Sequence, residues 1–266
     1  MRAVLGIDAA WTLSQPSGVA LVSETSAGWQ LVAAEPSYQR FHARALELPA
    51  EERPRGSEPN SVELLSSSRK LCGCPVDLIA IDMPLSRRAI RGRRPSDDAV
   101  SKAYGARKAG THTPSENRPG RISDDLRRGF EARGYPLLTS AAKPPGLIEV
   151  YPHPALIELA GSCERLRYKA SKVRSYWQWA TSAQRQDLLY CEWNRIVTLL
   201  EGEIAGVKAA LPIPSQWASG VERKSYEDTL DAVVCAWVGM CALEGRAVPF
   251  SDESSAIWIP GRPLAL

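Results

Sequence analysis

The sequence predicts an α/β protein, a mixed β-sheet with helices on both faces. Three observations carry that expectation. Short apolar runs of strand length open the chain and recur at 2–8, 18–24, 28–34, 76–82 and 146–151. Helical periodicity dominates the second half, most clearly over 225–244. There Leu230, Val233, Val234, Trp237, Val238 and Cys241 recur at i, i+3, i+4, i+7, i+8 and i+11. The order of strands, helix, strand, loop, strand and several helices gives the class.

Taken in order, residues 2–8 form a strand ending on Asp8. The runs 18–24 and 28–34, split by Thr25-Ser26-Ala27, read as a hairpin, so the chain opens as an antiparallel meander. Segment 45–60, rich in Pro, Glu and Arg, reads as an irregular insertion or short helix. Asn60-Ser61 caps a helix over 61–71. Val76–Asp82 is a buried-type strand, stopped at Met83-Pro84 because proline lacks the ladder donor. The stretch 85–121 is polar and Arg-rich, with one short helix near 97–104. A helix near 122–133 follows, with Ser123 as its cap and Asp124 and Asp125 in its first turn. Residues 146–151 form a strand ended by Pro152. A mainly helical region, 153–245, holds helices near 154–161, 173–182, 184–204 and 225–244. A last strand, 256–259, precedes Pro260-Gly261. With no internal repeat and no clean boundary, one domain over 1–266 is expected.

Composition narrows the function classes. The 266 residues are 44% hydrophobic and 24% charged, enough for a sizeable core and unlike a disordered chain or coiled coil. A net charge of +3 is too mild to argue for nucleic acid by itself. Arg87, Arg88, Arg91, Arg93 and Arg94 crowd one stretch, read either as a solvated loop or as a phosphate-facing arm. The six cysteines lack zinc spacing, His42, His112 and His153 are scattered, and Cys191, Cys235 and Cys241 fit apolar helical patterns. Met1-Arg2 leads straight into a strand, and no apolar run approaches the ~20 residues of a membrane span. A soluble, cytoplasmic protein with no membrane partner is the expectation.

The chemistry lies in the carboxylates. Asp8 and Asp82 each follow an apolar strand, where open α/β sheets bind ligands. One such Asp is commonly a turn or cap residue; two invite a site, because a carboxylate there needs exposure, a partner or a metal. Glu227 and Asp228 read as first-turn acids of the 225–244 helix, explained by its dipole. Asp231 lies beside the apolar stripe and wants a partner, so it is favoured over Asp228. Glu149 interrupts a strand and either points to solvent or joins the acids. Converging carboxylates suit Mg²⁺ or Mn²⁺.

Five segments stand in order: Gly6-Ile7-Asp8, Ile81-Asp82-Met83-Pro84, Glu149-Val150-Tyr151-Pro152-His153-Pro154, Tyr168-Lys169 and Asp228-Thr229-Leu230-Asp231-Ala232. Together they resemble the domain-of-unknown-function family numbered 429, predicted to comprise RNase H-like nucleases, over roughly residues 1–260. Ala103–Arg107, Thr111–Pro114 and Arg118–Gly120 look like that family's loop after the second acid. The resemblance implies an RNase H-like sheet with a helical insertion. It implies Asp8 as first-strand metal ligand, Asp82 as the next acid, and Asp228 or Asp231 as the helix-borne acid, as in Holliday-junction resolvases. Glu149 matches a family position. His153 either assists proton transfer or is a rigid loop element between prolines.

The expectation is therefore a metal-dependent nuclease acting on nucleic acid through Asp8, Asp82 and Asp228/Asp231. Lys169, Arg107, Arg118 and the 87–94 arginines would neutralise phosphates, unless Lys169 is simply solvated in its polar loop. Trp177 and Trp179 either stack bases or belong to the core. Two alternatives remain: an inactive nucleic-acid-binding or scaffold protein on the same fold, whose acids would fail to converge or be salt-bridged to Arg or Lys, and an ATP-dependent phosphotransferase of the related sugar kinase/actin fold. The phosphotransferase lacks support because no Gly-rich nucleotide loop follows near 200–225.

Overall fold

A computed structural model describes residues 1–49 and 53–261. Its strands are β1 (Ala3–Asp8), β2 (Gly18–Thr25), β3 (Gly28–Glu35), β4 (Leu78–Asp82), β5 (Gly146–Val150), β6 (Ala247–Ser251) and β7 (Ala256–Pro260). They form one sheet in the order β3-β2-β1-β4-β5-β7-β6. The β1–β2–β3 meander is antiparallel, β4, β5 and β7 run parallel to β1, and β6 returns antiparallel on β7. An antiparallel meander followed by parallel strands added beside β1 is the RNase H-like arrangement. Here β7 and β6 extend it.

The helices are α1 (Tyr38–Leu46), α2 (Ser61–Cys72), α3 (Pro95–Tyr104), α4 (Arg121–Glu131), α5 (Pro152–Ala160), α6 (Val173–Tyr176), α7 (Ser182–Glu201), α8 (Val207–Ala210) and α9 (Gly220–Leu243). Strand alternation divides the core. Val4, Leu78 and Ala80 face α9, α5 and α7, whereas Leu5, Ile7, Ile79 and Ile81 face α1, α2 and α4. α9 is buried from Tyr226 to Ala242, sandwiched rather than amphipathic. No helix among the described residues is long and apolar enough to cross a membrane.

Several local expectations need correction. α9 starts at Gly220, capped reciprocally by Ser219 and Glu222, so Glu227 and Asp228 lie about two turns inside it and the dipole does not explain them. The helix expected over 173–182 is one turn, because the Trp177 carbonyl is taken by Ala180 and by Arg185 Nε, and its indole is buried. α4 begins at Arg121 rather than after a Ser123 cap; Ser123 is inside it. α1 was not expected: Ser37 caps it, and Tyr38, Phe41 and Ala45 face the core. Of the 45–60 segment, residues 50–52 lie outside the described residues, and α1 ends within its start. β6 was also missed, since Pro249 obscures an edge strand. Asn60 caps α2 as expected, its Oδ1 accepting from Val62 N and Glu63 N.

Candidate active site

Asp8 and Asp82 sit abreast at adjacent strand ends: Asp8 pairs with Asp82 across the parallel β1–β4 ladder and with Gly18 across β2. Strand neighbours lie only about 5 Å apart. By alternation both carboxylates turn to the α9 side, with Val4, Leu78 and Ala80. α9 approaches very closely there. A Cβ at Gly6 would stand 2.2 Å from the Ala232 carbonyl oxygen, and one at Gly18 2.0 Å from that of Asp228. Glycine at these positions therefore brings the helix acids onto the strand acids.

The helix acids are not equivalent. Asp231 is fully buried; Tyr168 Oη donates to its Oδ1 at 2.8 Å and Lys169 Nζ pairs with its Oδ2. Glu227 accepts from Ala170 N at 2.6 Å and pairs with Lys169 and Lys224, each at 3.3 Å. Asp228 pairs with Lys224 one turn earlier. Among the described residues, Asp8 and Asp82 alone of these acids have no hydrogen-bond or ion-pair partner for their carboxylates.

Asp8, Asp82 and Asp228 line a cavity of about 510 Å³ together with Trp11, His112, Arg118 and Lys224. Arg118 lies over the Trp11 ring at 5.7 Å. Burial, then Asp228, Asp231 and Asp82, push the Asp8 carboxyl well above the carboxylate range, against Lys169. Burial and then Asp231 push Asp82 up to about 7. Burial works to lower the Lys169 ammonium, but Asp231, Tyr168 and Glu227 outweigh it and hold it well above its ordinary value.

The other sequence candidates fall differently. Asp231, favoured from periodicity, is sealed behind Tyr168 and Lys169, while Asp228 reaches the cavity. Lys169 is not in solvent; its side chain is 19% exposed and neutralises the acid cluster from within. Glu149 does not point to solvent; it lines a small cavity with Asp82 and its charge helps raise that carboxyl, but its own carboxylate is held by Arg94. It pairs with Ile81, on the opposite sheet face, and both its oxygens are taken by Arg94 (2.6 and 2.7 Å) with Leu85 N at 2.8 Å. Burial still raises Glu149 to about 7, against Arg94. His153 is buried edge-on between Tyr151 and Tyr168, its Nδ1 without a partner, and burial holds its pKa well below the usual histidine value. Arg107 pairs with Glu158 and the Ser162 carbonyl, outside the cavity lining.

Of the arginine run, Arg94 is buried, while Arg87, Arg88, Arg91 and Arg93 are exposed, three of these four with polar contacts to the fold. Arg87 binds the Glu253 and Leu137 carbonyls, Arg91 pairs with Glu116, Arg93 with Asp98, and Arg94 with Asp97 and Glu149. Trp177 is a core residue and Trp179 is exposed. Trp11 and Lys224 are among the cavity residues that went unanticipated, and His112 was given only as part of a loop, with no place in the site. Lys224 was legible, three and four residues before Glu227 and Asp228 on one helix. Trp11 and His112 reach the cavity from loops, which carry no periodicity.

A family model described as protein of unknown function (DUF429) matches residues 6–256. The chain belongs to the DUF429 family. No curated protein and no solved structure matches it. In this DUF429 protein the matched span contains every acid of the cluster, from Asp8 to Asp231. Among the described residues, no three acid, histidine or cysteine side chains are grouped to hold a metal ion, and Lys224 and Lys169 pair with the helix acids Asp228 and Asp231.

Proposed function

We propose that this DUF429 protein is a metal-dependent nuclease that hydrolyses phosphodiesters at the cleft between β1, β4 and α9. The observation that carries the reading is the pair Asp8–Asp82: two carboxylates abreast, unpartnered among the described residues, facing a cavity, and raised by burial and then by the helix acids Asp228 and Asp231. Such a pair is destabilising unless a cation joins it. Oxygen-only donors with excess negative charge fit Mg²⁺ or Mn²⁺. Asp8 and Asp82 would hold the metal, joined by Asp228 once Lys224 leaves it; the Lys224 side chain is 53% exposed and has solvent to move into. When bound, a hard divalent cation supplies activation of water and stabilisation of the leaving oxygen. Asp231 stays tied to Tyr168 and Lys169 and acts on the pair through its charge. Arg118, steadied on Trp11, neutralises a phosphate in the same cavity. The six free thiols suit a reducing, cytoplasmic setting.

The test incubates the protein with branched DNA, single-stranded DNA and RNA in Mg²⁺ or Mn²⁺. Wild type should cleave at least one substrate. Asp8→Asn should lose more than the ~10–100-fold typical of groups outside the metal's own ligands. Equal cleavage by both proteins, or none by either, sinks the reading. One observation favours a second reading, an inactive nucleic-acid-binding protein: Asp228 and Asp231 are already neutralised by lysines. Binding that weakens steeply with salt, without cleavage, would select it.

A further inference from the structure

A second cavity, of about 300 Å³, opens on the segment between α5 and α6. Four cations line it, Lys108, Arg165, Arg167 and Lys172, against the single carboxylate of Glu164. Glu164 is already committed: it pairs with Lys108 and reaches Arg167 at 3.7 Å. Arg165 and Lys172 make no ion pair among the described residues. The Arg165 guanidinium also hydrogen-bonds the Tyr176 hydroxyl, so the two side chains stand together at the cavity. Four cations against one committed carboxylate leave a surplus of donors and positive charge, and the complement the cavity lacks is an anion rich in acceptor oxygens.

We propose that this pocket binds a phosphate group, specifically a backbone phosphate of a nucleic-acid strand. The chemistry matches: a guanidinium fork, an ammonium and a phenolic hydroxyl are all donors to phosphate oxygens. The location favours a strand over a free anion. Between Arg165 and Lys172 the same segment sends Tyr168 and Lys169 into the acid cluster, and Lys172 N donates to the Lys169 carbonyl at 2.9 Å. A strand leaving the cleft along the 165–172 segment would meet this cationic site. The path rests on the nuclease reading; the binding itself does not.

The experiment therefore measures binding without cleavage. A fluorescently labelled single-stranded oligonucleotide is titrated with Asp8→Asn protein in EDTA, by anisotropy, across a salt series. Adding Arg165→Gln and Lys172→Gln should weaken binding about 10-fold or more and flatten the slope of log K against log salt by about 1.4, the value for two phosphate contacts at ~0.7 each. Arg165→Lys should retain most of the affinity, and Lys143→Gln, outside the pocket, all of it. If Arg165→Gln fails to fold, Lys172→Gln carries the test alone, since Lys172 is exposed on a short turn. Affinity within twofold of the parent overturns the proposal. So does stabilisation by inorganic phosphate that the double variant abolishes while oligonucleotide binding is unchanged, which assigns the pocket to a free anion. Loss of binding in the variants together with no cleavage by wild type would sink the nuclease reading and leave this pocket standing.

Discussion

Asp82 shows what the site costs at the scale of one residue. In the unfolded chain it ionises near 3.8; in the folded protein burial and Asp231 raise it to about 7. The folded state therefore holds the proton more tightly. The corresponding stability is fully present below pH 3.8 and is lost as pH rises through 7. Asp82→Asn removes that loss. It should melt higher than wild type at pH 8, by roughly 2–6 °C for about 1–2 kcal/mol, with the gap closing toward pH 4. A lower melting point at pH 8 would contradict the electrostatic account. At that pH Mg²⁺ should raise the wild-type melting temperature and raise that of Asp82→Asn less, since binding to the native state stabilises it by mass action.

Among elements, the contact between α9 and the β1–β2 pair decides whether the acids meet. Gly6 and Gly18 leave no room for a methyl group against the α9 backbone. Gly6→Ala must push the helix outward, and urea denaturation should show a loss of about 1–3 kcal/mol or more; an unchanged midpoint would mean that the close approach is not rigid. A second device fixes the loop after Asp82. Arg94 bridges Glu149 and Asp97 and donates to the Leu85 carbonyl, tying α3 to β5. Arg94→Met leaves two carboxylates facing each other in the core and should cost about 3–5 kcal/mol in the same assay. Adding Glu149→Leu should recover part of that loss, because an unpaired buried charge costs more than an apolar replacement. No recovery would place the bridge's importance in the backbone contacts instead.

For the whole molecule, stability is concentrated where α9 is enclosed between the sheet and the α5–α7 layer. Amide hydrogen exchange should therefore be slowest over 226–242, opening only with global unfolding. The single-turn helices α6 and α8 should exchange by local opening. Faster exchange in α9 than in α7 would show that the sandwich is not the stable unit. The basic pocket lies on the segment that includes α6, so ligand there would slow exchange in a helix that has no fully buried residue.

The sequence by itself determined the strands of the meander, β4, β5, β7 and the long helices, because period-2 and period-3.6 patterns are local and survive without tertiary context. It also placed Asp8 and Asp82 at strand ends, since the apolar run before each one marks where the strand stops. What it could not decide was how the charges pair. Lys169 and Asp231 are 62 residues apart, and Arg94 and Glu149 are 55; only the folded chain brings such partners within reach. Parity along β5 turned Glu149 to the far face, and that face was defined only once β5 had paired with β4. The exchange of Asp231 for Asp228 at the cavity has the same origin. Periodicity places both on α9, but Tyr168 and Lys169, brought in from the segment before α6, cover one and leave the other open.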